Sequence, residues 1–423
     1  MRMASRSAER LAVLIRQIYG TNQFYTRKFD AAGIDPAALV FPRDLATLPL
    51  TTKGELIDDQ LTSPPWGTNL SEPVDRYTRY NQTSSTTGKP LRWMDTNESW
   101  QWMLECWKTV YSGAHVDERD RIFFPFSFGP FLGFWTAFEA GCQIGAHCIP
   151  AGGMSSQVRL SMIETLHPTV ICCTPTYALR LLDVAGEMRG RAADLSASSV
   201  RMLIVAGEPG GSIATTRQRI ETGWGARVID HHGLTEVGPI SFECWESPGA
   251  LHVNEAEYIC EVLEPGSDRP VVDGERGELI VTNLGRTASP LIRYRTGDLV
   301  VRRSGLCACG TNFTRLAGGI LARVDDMVNV RGVNVYPSAV ESVVRRFTEV
   351  REYRAIVANN GSLRELSMEI ELSPGMNGQA DVARRVADAL RESLGLTVPV
   401  GVVETNTLPR FELKAKRFVV EIK

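Results

Sequence analysis

No run of apolar residues in this 423-residue chain approaches the ~20 needed to cross a bilayer. A signal-peptide core is also missing. The opening "MRMASRSAERLAVLIRQIYG" instead sets Leu11, Leu14, Ile15 and Ile18 at helical spacing, with Gly20 as a helix stop. A cytoplasmic protein with no membrane association is expected. Charge of one sign is not in excess: the net charge is −3, which argues against nucleic-acid wrapping and against a polybasic membrane patch. There are no internal repeats, low-complexity tracts or long charged blocks. What is present, 43% hydrophobic and 22% charged residues, is the composition of a globular protein with a substantial core, and the length suggests roughly two to three domains.

The nine cysteines are odd in number and irregular in spacing. Cys106, Cys142, Cys148, Cys172 and Cys173 stand in apolar contexts and read as buried structural thiols. "RIFFPFSFG", "PTVICCTPT" and "VRMLIVAGEP" read as buried strands that end in Gly-, Pro- or Thr-rich turns. "SSQVRLSMIETL" and "YALRLLDVAGEMRG" are amphipathic segments between them. This alternation predicts parallel α/β layers, in which ligands gather at the carboxyl ends of the strands. Near residue 250 "YICEVLEP" and "GELIVTNL" predict a more antiparallel region. After "ARVDDMVNVRG" the texture changes again. "VYPSAVESVVRRF" reads as a helix with a capping box from Ser338 to Glu341, although Pro337 blurs its start. "LSMEIEL" alternates strictly after a turn at Asn359-Asn360-Gly361. "DVARRVADALRESLG" sets Val382, Val386, Leu390 and Leu394 on one side, and "VPVGVVE" is read as a last strand. The boundary is placed at 1–322 and 323–423, a large α/β unit followed by a small α+β one.

The loop "NQTSSTTGKPLRW" raises the question of chemistry. Ser84, Ser85, Thr86, Thr87, Gly88 and Lys89 offer backbone N–H groups, hydroxyls and an ammonium to a phosphate. An anion nest usually holds several glycines and this one has only Gly88, so an ordinary polar turn stays open. The stretch also lacks the G-x-x-x-x-G-K-[ST] spacing of a phosphate-loop NTPase.

In chain order follow "TPTYALRLL", "AGEP", "HHGLTEVGP", "PLIRYRTGDL", "RVDDMVNVRGVNVYPSAVE" and "LPRFELKAKRF". This ordered set resembles the adenylate-forming enzymes, and specifically the phenylacetate–CoA ligase family, from about Tyr19 to Phe418. The resemblance implies a large N-terminal AMP-binding and acyl-binding domain and a small mobile C-terminal domain. It implies that a carboxylate attacks the α-phosphate of ATP to give an acyl-adenylate and pyrophosphate, and that a thiol, usually coenzyme A, then displaces AMP. By resemblance the Ser84–Lys89 loop holds the triphosphate, Glu236 holds Mg²⁺ and Thr235 contacts the α-phosphate. Asp298 takes both ribose hydroxyls, and Arg323 adds a ribose or phosphate contact. Gly207, Glu208 and Pro209 border the adenine. His232, ahead of Gly233, stands where the family usually has tyrosine and can offer a ring face to the base. Lys414 is the lysine that swings in to bridge carboxylate and α-phosphate, and Asp325 is the hinge. The blander readings are a helix-capping pair for Thr235 and Glu236, a turn aspartate for Asp298 and a solvated basic tail around Lys414. Two positions depart from the family pattern: Ser85 and Leu413 each replace a glycine, which keeps open a chain that binds adenylates without turning them over.

Cys244 and His252 lie upstream of the Cys307-Ala308-Cys309 pair, and together they make four ligands of the kind a closed zinc site takes. Relatives carry such residues at these places. Unmetallated buried thiols or a redox pair are the alternatives. The segment "FFPFSFGPFLGFWTAFEAG" is dense in rings. By resemblance this segment lines the acyl pocket: Phe128, Phe131, Phe134 and Trp135 are expected to form a flat apolar slot, with Gly129 and Gly133 leaving room for an aryl or arylacetic acid, and the alternative is that several of these rings are plain core. Trp93, Trp100, Trp102 and Trp107 read as core packing. The expected activity is therefore ATP-dependent adenylation of an aromatic carboxylic acid and transfer to coenzyme A. Transfer to a carrier protein or an amine is a rival within the class, and a non-catalytic adenylate-binding protein is a rival from another. A homodimer is plausible from the family alone.

Overall fold

The computed structural model describes residues 5–83, 90–189, 194–360, 363–376, 378–411 and 415–421. Its centre is a set of very short strands with almost no polar side chain. Arg121–Phe124, Val170–Cys173 and Met202–Val205 are buried on both faces except at Arg121. Strands this uniformly apolar fit a sheet covered on both sides, which calls for parallel pairing with helical crossovers. The observed order is His147–Pro150, Arg121–Phe124, Val170–Cys173, Met202–Val205 and Arg227–Leu234, all parallel. The helices Trp135–Gln143, Ser156–Leu166, Pro175–Arg189 and Ala214–Trp224 make the crossovers. The sheet then turns antiparallel through Gly238–Glu243, Ala250–Val253, Arg315–Ala317, Tyr294–Arg303, Arg276–Asn283 and Tyr258–Leu263. The helix Ser5–Ile18 lays Leu11, Leu14, Ile15 and Ile18 against this antiparallel half, in one core with Tyr258 and Leu279. No helix among the described residues is long and apolar enough to cross a membrane.

A separate core forms beyond residue 327. Leu366, Met368, Ile370 and Leu372 point inward from Leu363–Leu372, as a period of two requires. Val382, Val386 and Leu390 of the helix Gln379–Leu394 cover them, together with Val340, Val343 and Val344 of Pro337–Val344.

Three expectations from the sequence do not hold in the structure. The Ser338–Glu341 capping box does not form. Proline's fixed φ suits the first helical position, so Pro337 takes it and Tyr336 becomes the N-cap without a side-chain bond. Ser338 instead donates to the Leu321 carbonyl, and Glu341 receives Arg345 and Tyr353. "VPVGVVE" is not the last strand: Phe418–Glu421 pairs in parallel with Val350–Asn360 and closes the small sheet's other edge. Cys142 is exposed and Cys148 is half-buried, whereas Cys106, Cys172 and Cys173 are buried as expected. Asn359 and Asn360 continue the strand, and Gly361 lies outside the described residues.

Candidate active site

Asp298 sits in the middle of Tyr294–Arg303 and is 3% exposed, so it is not a turn aspartate. It pairs across the sheet with Arg323, whose Nη1 donates to Asp298 Oδ1 at 3.0 Å. The same guanidinium holds Asp325, with Nε 2.9 Å from Oδ1. A Cβ at Gly297 would stand 2.9 Å from Arg323 Nη2, so the glycine leaves room for this arrangement. His232 Nε2 is 3.0 Å from Asp298 Oδ2, and its Nδ1 is 3.3 Å from the Ser241 hydroxyl. Burial alone would raise the Asp298 carboxyl. The His232 hydrogen bond and the Arg323 charge outweigh it and hold the group below the ordinary carboxylate value.

Arg227–Leu234 and Gly238–Glu243 form a hairpin whose connection carries Thr235 and Glu236, which rules out the helix-capping reading. Gly233 is needed for the hairpin to close, because a Cβ there would meet the Gly238 carbonyl at 2.7 Å. Glu236 is buried, and the Tyr294 hydroxyl donates to its Oε1 at 2.7 Å. Burial and the Glu236 charge push the Tyr294 phenol far up, so it remains a donor. The Thr235 carbonyl accepts from Arg286 Nη1 at 2.7 Å. Arg286 in turn grips Asp95 with two bonds of 2.6 Å, and both side chains are fully buried.

The loop after Met202–Val205 carries Gly207, Glu208 and Pro209. Gly207 adopts φ +94° and is exposed, as is Pro209. The Glu208 carboxylate accepts two backbone N–H groups: Thr176, in the first turn of the helix Pro175–Arg189, at 2.8 Å, and Ala415, from the far end of the chain, at 3.0 Å. Sequence reading assigned no such role to it. The phosphate loop Ser84–Lys89, with its Ser85 departure, and Lys414 with Leu413 lie outside the described residues.

The aromatic segment is not a flat open slot. Phe128 meets Trp135 edge-on, with centroids 4.8 Å apart, and also packs edgewise on Phe126 and Phe138. Phe134 is buried against Phe126 and Trp107. The space over Gly133 belongs to Phe126: a Cβ there would stand 2.1 Å from its ring, at φ +38°. Gly129 is less confined, its virtual Cβ lying 3.7 Å from Phe131, and its carbonyl accepts from Trp135 Nε1 at 3.1 Å. Composition could not show that these rings satisfy one another. His231, which the sequence did not mark, lies tilted at 50° against Trp107, with ring centroids 4.3 Å apart. Burial pushes its pKa down to about 3.

Cys244, His252, Cys307 and Cys309 do come together, with ligand atoms all within 4.8 Å of one another. The Cys244–Cys307 sulfur separation is 3.8 Å, and Cys309 Sγ is 3.7 Å from His252 Nε2. The edge of a tetrahedron with centre-to-sulfur distances of ~2.3 Å is about 3.8 Å, so the donor set fits zinc. The sulfurs are much too far apart for a disulfide, whose bond is about 2.05 Å. Burial lowers the His252 pKa and keeps the imidazole neutral, as ligation requires. Cys309 is exposed, which does not suit the reading of the three thiols as buried and unmetallated.

Residues 77–287 match the family model of the AMP-binding enzymes, and residues 332–421 match that of the AMP-binding enzyme C-terminal domain. A phenylacetate-coenzyme A ligase of Thermus thermophilus is 30% identical over 98% of this chain and 95% of its own length. The chain belongs to the phenylacetate–CoA ligase family. The Escherichia coli phenylacetate-coenzyme A ligase is also 30% identical, over 97% of this chain and 92% of its own. Among solved structures, a 2-hydroxyisobutyryl-CoA ligase in the postadenylation state superposes with a TM-score of 0.92, at 25% identity, covering 98% of this chain and 89% of that one. The same ligase in the thioesterification state, bound to its adenylate and CoA, gives a TM-score of 0.73 at 26% identity with the same coverage. This phenylacetate–CoA ligase family member is thus an adenylate-forming acid–CoA ligase that uses a carboxylic acid, ATP and CoA.

Proposed function

We propose that this ligase adenylates an aromatic carboxylic acid, aryl or arylacetic, and passes it to coenzyme A. The observation that carries the reading is the convergence of Asp298, His232, Arg323 and the Glu236–Tyr294 pair from three strands and one hairpin turn, with the loop that holds Glu208 following the strand that pairs in parallel with that of His232. In this reading Asp298 accepts the ribose hydroxyls, for which a carboxylate has enough lone pairs even while bonded to His232 and Arg323. Gly207 and Pro209 border the base. Ser84–Lys89 take the triphosphate, and Thr235 contacts the α-phosphate. Glu236 is a hard oxygen donor whose partner here is a neutral hydroxyl, so it suits the Mg²⁺ that accompanies ATP and offsets the charge of departing pyrophosphate. A substrate carboxylate oxygen bonds to the α-phosphorus as the bond to pyrophosphate breaks, with Lys414 neutralising the junction. The CoA thiolate then attacks the acyl carbon and AMP leaves. Domains of 1–322 and 323–423, turning about Asp325 between these steps, go with the agreement with the postadenylation state rather than the thioesterification state. Cys244, His252, Cys307 and Cys309 would hold a structural zinc with four protein ligands and no open position for chemistry.

Aryl specificity is supported by the ring-rich segment behind Phe128 and by the phenylacetate ligases among the relatives. One observation favours a second reading. Phe126 fills the space over Gly133, which leaves no room for a ring there and suits a small branched acid such as the 2-hydroxyisobutyrate of the solved neighbour. Purified protein offered phenylacetate, benzoate, 2-hydroxyisobutyrate and octanoate, with ATP and Mg²⁺, decides between them. Fastest pyrophosphate release with an aryl acid, with CoA thioester forming when CoA is added, supports the proposal. Fastest release with 2-hydroxyisobutyrate overturns the aryl assignment, and pyrophosphate release without thioester overturns CoA as acceptor.

A further inference from the structure

Two hydrogen bonds cross from the large domain to the end of the chain, and both land within three residues after Lys414. The Ala415 N–H donates to Glu208 Oε2 at 3.0 Å, and Arg417 Nη1 donates to the Thr176 hydroxyl at 3.2 Å. Each anchor is itself fixed within its own domain. The other oxygen of Glu208 accepts the Thr176 N–H at 2.8 Å, which ties the carboxylate to the start of the helix Pro175–Arg189. Arg417 is buried and gripped by both oxygens of Glu352, with Glu341 3.8 Å away. Burial works against its charge, but Glu341 and Glu352 more than compensate and raise its pKa.

We propose that Glu208, Thr176 and Arg417 are positioning residues for adenylation, which clamp the segment following Lys414 onto the large domain and release it before thioester formation. This rests on the two-step reading given above. The clamp belongs to one conformation: a turn of the small domain breaks these two bonds, together with the Arg351–Glu187 ion pair and the Thr215–Ser342 bond that also cross, and leaves Glu208–Thr176 and Arg417–Glu352 intact. Arg417 carries its counter-charges with it, so leaving Thr176 strips it only of a neutral hydroxyl. That keeps release cheap compared with breaking a buried ion pair. Ala415 is bonded through its backbone, so the clamp reads the path of the chain and does not depend on the side chain at that position.

The test uses full-length Thr176→Val, which removes only the hydroxyl acceptor, Thr176→Ser, which keeps it, and Glu208→Gln, which removes one of two acceptors. Pyrophosphate release is measured with ATP, Mg²⁺ and the acid that wild type turns over fastest. Thioester formation is measured separately from the synthetic adenylate of that acid plus CoA. A hydrogen bond to a charged group sets the scale. Thr176→Val is expected to slow pyrophosphate release about ten- to a hundredfold, while thioester formation from supplied adenylate stays within about twofold and Thr176→Ser behaves as wild type. Equal slowing of both half-reactions, or of neither, overturns the proposal. Hydrogen exchange of the peptide containing Ala415 needs no substrate. It is expected to quicken about tenfold in Glu208→Gln, and unchanged protection also overturns the clamp. Wild type that releases no pyrophosphate with any acid defeats the ligase reading instead, and the exchange result then still decides the clamp.

Discussion

Arg286→Met is the perturbation whose size follows most directly from the structure. The guanidinium makes a bidentate bond of 2.6 Å per arm to Asp95, donates to the Thr235 carbonyl at 2.7 Å and lies 5.3 Å from the Trp93 ring centre. Methionine keeps the length and apolar character of the stem but leaves the Asp95 carboxylate buried without a counter-charge. Removing one partner of such a pair costs about 3–5 kcal/mol, whereas replacing both by apolar groups is often neutral. The single variant is therefore expected to lose about 3–5 kcal/mol, and Arg286→Met with Asp95→Leu is expected to recover most of it. Urea unfolding followed by tryptophan fluorescence is a suitable assay, because all eight tryptophans lie between Trp66 and Trp245 and report the large domain alone. Activity should not recover with stability. The double variant still lacks the anchor on Thr235, and its kcat/KM for ATP is expected to stay about tenfold down. A single variant within 1 kcal/mol of wild type would refute the reasoning, as would a double variant whose loss equals the sum of the two single losses.

Asp298→Asn removes the charge that Arg323 and His232 face, and is expected to raise the KM for ATP about 10- to 100-fold; an unchanged KM would contradict ribose binding by this group. His231 has a folded pKa of about 3, below its ordinary value of about 6.5. Between those values the unfolded chain takes up a proton that the folded chain refuses, so stability is full above about 6.5 and falls by about 1.4 kcal/mol per unit as pH drops toward 3. Urea midpoints of wild type and His231→Gln from pH 4 to 7 test this, and identical slopes would contradict it. Elemental analysis is expected to find about one zinc per chain. Cys307→Ser should lose it and unfold at lower temperature, while pyrophosphate release per folded molecule holds; a folded wild type without metal removes the zinc site.

How far the sequence could be read depends on where each interaction lies along the chain. The parallel strands are legible because three runs without polar residues are separated by helical periodicity, a local signal. The small domain's core is legible for the same reason, from alternation in "LSMEIEL" and the stripe of Val382, Val386 and Leu390. Asp298 and Glu236 are read only through resemblance, since an aspartate after glycine looks the same in a turn. Arg286 was missed because its partner Asp95 lies 191 positions away and nothing local marks either residue. Tyr294 sits inside a quoted motif, but its bond to Glu236 spans 58 positions. The capping box failed because a proline one position earlier outranks serine for the helix start. The aromatic slot was misjudged because ring-rich composition does not say which rings face one another and which face a ligand.

The central claim is that a carboxylic acid is joined to AMP before any thiol takes part. The most direct measurement is exchange of labelled pyrophosphate into ATP, with Mg²⁺ and the preferred acid but no CoA, in wild type and in Lys414→Ala. Exchange that depends on the acid, needs no CoA and falls at least about a hundredfold in the variant is the expected result. Exchange that requires CoA, or is absent with every acid offered, would contradict it.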